Sequence, residues 1–102
     1  MTEKEIITNL LIDFKTINPD IDKFKGNALA ALGEKLIKFI NIMTPYSYLF
    51  NDDFKIAVKE YILTYEAARK GEKKGENILK LIPPTNDLIA TTLDKKFKAL
   101  EQ

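Results

Sequence analysis

The chain contains no histidine, no cysteine and no tryptophan, and it has only one serine and one arginine. Each absence closes off a chemistry. Without histidine there is no side chain that ordinarily titrates near neutrality, so nothing of that kind can act as general base or activate the lone Ser47. Without cysteine there is no disulfide framework, thiolate nucleophile or sulfur ligand for a metal. Charge of neither sign dominates. Sixteen basic and fifteen acidic residues leave a net charge of +1, which argues against a dedicated nucleic-acid binder while leaving room for a local basic patch.

Long apolar runs are missing too. The longest uncharged stretch, Phe39 to Asn51, contains Pro45 and falls short of the roughly 20 residues a membrane span needs. The opening Met1-Thr2-Glu3-Lys4-Glu5 is acidic where a secretory signal is basic, and Asn9 and Asp13 interrupt the apolar residues that follow. These features predict a cytoplasmic protein. Fifteen lysines to one arginine, with thirteen isoleucines and seven asparagines, are what AT-rich codons produce. They point to low-GC bacteria, their phages or other viruses as sources, and they make the lysine excess a poor guide to function.

What is present is helical patterning. A chain of 102 residues, 45% hydrophobic and 30% charged, predicts one globular domain over residues 1–102. Thr2 followed by Glu5 is a capping-box pattern, and Ile6, Ile7, Leu10, Leu11, Phe14 and Ile17 then keep the spacing of an amphipathic helix. Asn18-Pro19 ends that helix and offers the next start, with Asp20 and Asp22 facing a positive dipole end. Ile21, Phe24, Ala28, Leu32, Leu36, Phe39, Ile40 and Met43 give residues 19–43 the strongest periodicity. They form one helix, or two if Gly26-Asn27 breaks it. Gly26, Ala30 and Gly33 share a face. Because glycine costs about 1 kcal/mol inside a helix, the pair of glycines reads either as a close approach of another backbone or as a kink.

Thr44-Pro45 closes this segment, and Tyr46-Ser47-Tyr48-Leu49-Phe50 makes an aromatic-rich connection. Asn51, Asp52 and Asp53 cap a third helix with Phe54, Val58, Tyr61, Tyr65 and Ala68 on its inner stripe, and Arg69, Lys70 and Gly71 end it conventionally. A short helix over residues 76–82 is expected to stop at Pro83-Pro84. Thr85 or Asn86 then caps a last helix carrying Leu88, Ile89, Leu93, Phe97 and Leu100. The expected fold is all-α, a compact bundle of four main helices plus one short helix.

No familiar chemical motif survives inspection. Asp20-x-Asp22 with Gly26 suggests a calcium loop, but Phe24, Lys25 and Ala31 stand where the loop needs an oxygen ligand, glycine and glutamate. Asp52-Asp53 suits a helix N-terminus better than a metal. Gly71-Glu72-Lys73-Lys74-Gly75 is glycine-rich and basic without the order of a phosphate loop. Arg69, Lys70, Lys73 and Lys74, with Lys80, could grip phosphates there, although Glu66, Glu72 and Glu76 are interleaved and the segment reads first as a solvated turn. Residues 76–100 could form two helices about a turn, the second presenting Asn86 and offering Thr91, Thr92 and Lys95 as base readers, but Asp87 and Asp94 would repel phosphates. Tyr61 and Tyr65 fit packing, with their hydroxyls at the surface. No catalytic residue, cofactor site or metal-ligand set is assigned, and the chain reads as a non-enzyme.

By exclusion, the leading expectation is a small regulator, inhibitor or adaptor that binds another protein or itself, with Tyr46, Tyr48 and Phe50 as candidate anchors. Core-capping by the same aromatics is the plainer reading. Nucleic-acid binding through Arg69, Lys70, Lys73 and Lys74 and the last helix is the alternative. The chain also resembles the class IIa bacteriocin immunity proteins in size, lysine content, helical-bundle architecture and patterning around residues 5–40. That resemblance implies protection of a producing cell from its own bacteriocin, at the cytosolic side of a membrane receptor.

Overall fold

Thr2 and Glu5 start the first helix as their spacing predicts. In the computed structural model, which describes residues 1–17 and 27–101 (without the side chains of 27 and 28), the Glu5 amide donates to Thr2 Oγ1 at 3.2 Å and the Thr2 amide to Glu5 Oε1 at 3.5 Å. Helix α1 spans Glu3–Ile17 and buries Ile6, Ile7, Leu10 and Phe14, leaving Leu11 and Ile17 half-buried at the edge. Helix α2 spans Asn27–Met43 and buries Leu32, Leu36, Phe39, Ile40 and Met43. The Asn18-Pro19 boundary, Ile21, Phe24, Gly26, the side chain of Ala28, and whether 19–43 forms one helix or two lie outside the described residues.

After α2 the chain tightens into a 3-10 helix, Thr44–Leu49, with Pro45 in its first turn and Thr44 Oγ1 donating to the Ile40 carbonyl at 2.8 Å. Asn51 caps α3 (Asp52–Arg69): its side-chain oxygen accepts from the Phe54 amide at 2.9 Å, and Asp52 and Asp53 occupy the dipole-favoured first turn. At the other end Gly71 takes a left-handed φ of 71°, and the Gly71 and Glu72 amides donate to the Ala68 and Ala67 carbonyls. The chain then makes a 3-10 turn, Lys73–Gly75, and enters α4 (Ile78–Leu100). The Gly71–Gly75 segment is exposed, as a solvated turn should be, except that Gly75 is buried. A Cβ there would lie 2.1 Å from the Ala68 nitrogen, so Gly75 is seated on the α3 backbone itself. Ala67 is buried in that turn, whereas Ala68, expected on the inner stripe, is half-buried.

The two helices expected on either side of Pro83-Pro84 are one. Helix α4 is continuous through both prolines. Proline removes the amides that would reach the carbonyls of Leu79 and Lys80, but both of those residues are exposed, so water can satisfy the freed oxygens. Both prolines also sit close to the helix start, where little ladder lies upstream to be disrupted. Burial of Ile82, Ile89 and Leu93 along one face outweighs the local penalty.

Helix α4 packs on α1, α2 and α3 alike, and the other three are arranged around it. It runs antiparallel to α3, with Leu81 and Thr85 beside Tyr61 at one end and Lys96 over the Phe50 ring at the other. Phe14 meets Phe39 edge-on at 5.2 Å where α1 crosses α2. Helices α2, α3 and α4 converge at Gly33. An added Cβ there would meet Ile82 Cδ1 at 2.8 Å and the Tyr61 hydroxyl at 3.1 Å. The close approach at Gly33 is therefore made by two side chains, not by a backbone, and Ala30 is exposed rather than sharing that contact.

Tyr61 differs most from expectation. Its hydroxyl is not at the surface. The residue is 1% exposed and donates to the Gly33 carbonyl at 2.7 Å. Desolvation, reinforced by Tyr65 nearby, pushes its pKa above the ordinary tyrosine range.

Three outcomes follow for stability measured by urea denaturation. Tyr61→Phe removes one buried hydrogen bond while Gly33 keeps its helical one, so it should cost about 1 kcal/mol. Gly75→Ala forces backbone apart and should cost about 3 kcal/mol or more. Raising the pH above about 10 ionises Tyr61 in the unfolded chain before the folded one. Stability should then fall by up to about 1.4 kcal/mol per pH unit from this group, a slope absent from the difference curve if Tyr61 remains accessible to water.

Candidate functional site

The 46–50 segment divides by residue. Tyr48 is 70% exposed, Tyr46 is half-buried against the core, and Phe50 is 5% exposed. Phe50 belongs to the core because the chain turns inward after the 3-10 helix, stacking its ring on Phe54 at 4.7 Å and placing it beneath Lys96 Nζ at 5.5 Å. Its expected role as a surface anchor is thus corrected to that of a floor residue, and truncating it would damage the fold. Tyr48 alone of the three presents its ring to solvent.

Beside this segment lies a feature that the sequence does not announce. The C-terminal half of α2, the 3-10 helix and the first half of α3 enclose an apolar groove of about 290 Å³. Ile40, Met43, Phe50, Phe54, Val58 and Ile62 supply its apolar surface, Thr44 and Ser47 edge it, and Lys55 and Lys59 stand on its α3 rim. Ile40, Met43, Phe50, Phe54 and Val58 are core residues that show one side to the groove, so periodicity marks them only as interior. Ile62 lies off the inner stripe of α3 and was the one available signal: an extra apolar residue three positions after Lys59. Lys55 also pairs with Asp52 at 3.4 Å across an exposed turn, an interaction too solvated to immobilise it.

The basic residues of the alternative reading cluster at the end of α3. Arg69 closes the helix, Lys70 caps it, and Lys73 and Lys74 lie in the following 3-10 turn, all four exposed. Their surroundings are mixed in sign. One hollow there, about 460 Å³, is lined by Glu66, Arg69 and Lys70, and a second, about 270 Å³, places Lys70 and Lys74 with Glu66 and Glu72. Carboxylates sit where phosphates would have to go. Arg69 and Lys70 also face the negative end of the α3 dipole, which accounts for their position without a ligand. Since residues 78–100 form one helix, the helix-turn-helix arrangement is absent, and Asn86, expected to be presented by the second helix, is buried at 3% exposure. Thr91 and Lys95 remain on the exposed face of α4.

Ser47 is half-buried on the groove edge with no histidine in the chain to activate it. Among the described residues no three acidic side chains come together as a metal-binding group, and no helix is long and apolar enough to cross a membrane. No family model, curated protein or solved structure matches the chain. The similarity to class IIa immunity proteins therefore rests on overall pattern alone.

The division of the 46–50 segment is directly measurable. Phe50→Ala should lower unfolding free energy by about 3–5 kcal/mol, the range for removing a buried aromatic ring. Tyr48→Ala should stay within about 0.5 kcal/mol of the parent in the same titration.

Proposed function

We propose that this protein acts by docking another protein in the groove between α2 and α3, without catalysing a reaction of its own. The observation that supports this reading is the groove: a concave apolar surface floored by five core residues. At about 290 Å³ it falls at the bottom of the roughly 300–1,000 Å³ typical of small-molecule sites, and its polar groups, Thr44, Ser47, Lys55 and Lys59, stand on its edge around an apolar floor. It suits up to three leucine-sized apolar side chains from a partner. Tyr48, exposed on the 3-10 helix that also carries Ser47, is the kind of amphipathic residue that contributes at interfaces. The groove fits the regulator, inhibitor or adaptor class expected from sequence.

Affinity capture from the encoding organism tests this with three baits. Ser47→Trp places a bulky ring in the groove, whereas Leu79→Ser alters an exposed apolar residue at the far end of α4, about 25 Å along the helix from Lys96. A protein retained by the parent and by Leu79→Ser, but lost with Ser47→Trp, is the expected result. Equal retention by all three baits would reject the groove as the docking surface.

A further inference from the structure

Building on the docking reading, we infer that the groove takes an amphipathic α-helix of another protein, one with carboxylates flanking its apolar stripe. Three features of the site lead to this occupant. The first is architectural. Helices α2 and α3 both pack on α4 but meet each other only sparsely, so the groove is a vacant position between two helices. A third helix is the element whose ridges fill such a space, as in ordinary helix-on-helix packing. No strand is present among the described residues, so no sheet edge is on offer to an extended peptide.

The second feature is length. From Phe54 to Ile62 the α3 wall rises about 12 Å, or two helical turns. That matches anchors at i, i+4 and i+7 of a docked helix, and the apolar floor from Met43 and Phe50 to Val58 and Ile62 receives them.

The third feature is charge. Lys55 and Lys59 are the only charged residues among the described lining; Asp52, which pairs with Lys55, lies outside it and is largely solvated. Lys96, over the face of Phe50, adds a third cation beside the same aromatic pair. A helix flanked by glutamate or aspartate gains attraction along this rim, whereas a lysine-flanked helix is repelled. The hollows at the end of α3 contrast with this site, since there Glu66 and Glu72 offset the basic residues. The groove is thus the hollow, among the described residues, where apolar surface adjoins a charged lining that is basic alone.

The test uses two fluorescein-labelled peptides of about 15 residues, long enough to form a helix. Each carries leucine at i, i+4 and i+7, flanked by glutamate in one and by lysine in the other. Fluorescence anisotropy is read against the parent, the Lys55→Glu/Lys59→Glu double variant and Ile62→Glu. The acidic peptide should bind the parent at least tenfold more tightly than the lysine peptide, and the preference should weaken with salt. The double variant, altered only at exposed positions, should reverse the preference. Ile62→Glu should abolish binding of both peptides while far-UV circular dichroism stays unchanged.

Equal binding of both peptides to the parent, lost with Ile62→Glu, would overturn the acidic partner and leave the docking reading standing. Binding that survives Ile62→Glu lies elsewhere and counts against both. If neither peptide binds, a helical occupant is refuted, and the capture experiment alone decides whether the groove docks anything. A concentration-dependent dimer of the parent that displaces the acidic peptide would assign the groove to a second copy of this chain and overturn the inference.

Discussion

The bundle depends on a missing side chain. At Gly33 the α2 backbone is bare, and into that space come Ile82 from α4 and the phenol of Tyr61 from α3. The Tyr61 hydroxyl fills the second lone pair of a carbonyl already engaged in its own helix, so a buried polar group is satisfied without interrupting the ladder. The glycine therefore has a packing reason that offsets its poor helix propensity. Helix α4 can touch all three of its neighbours because this junction lets it approach so closely. The sparse meeting of α2 and α3 further along belongs to the same arrangement: both are held by α4, and their facing surfaces beyond the junction remain open as the groove.

The helices were legible because their signals are local or periodic. Thr2 with Glu5, Asn51 before Asp52, and Gly71 after Arg69 each mark an end whose amides or carbonyls need partners, and the structure shows those partners. The apolar stripes of α1, α2 and α3 fall inward as their spacing requires. Pro83-Pro84 misled because a propensity was weighed without its tertiary context. Ile89 and Leu93 were read on the stripe of a separate last helix; that Ile82 continues that face across the prolines and packs at Gly33 was not visible. Tyr61 was placed on the right stripe and assigned the wrong depth. Only the three-dimensional position of Gly33 tells that an acceptor awaits its hydroxyl.

The candidate site was less legible than the fold, for a physical reason. A groove is made from the flanks of core residues, and periodicity assigns a residue to the interior without saying whether all of its surface is covered. Phe50 illustrates this: as one of three aromatics in five residues it drew notice as an exposed anchor, yet it forms the floor and Tyr48 faces water. The basic run at 69–74 was conspicuous in sequence and is largely accounted for by the α3 dipole and by neighbouring carboxylates. Lys55 and Lys59 looked like ordinary solvated lysines. Their significance comes from the apolar wall on which they stand.

The seat of Gly75 on Ala67 and Ala68 bears on how the chain finds its shape. A segment only a few residues long leaves α3, turns through Gly71 and comes back to rest on the helix it has just left. Closing so short a loop sacrifices little chain entropy, and it aims α4 back along α3 before any distant part of the molecule is engaged. The direction of α4 along α3 is thus set by contacts between residues close together in the chain.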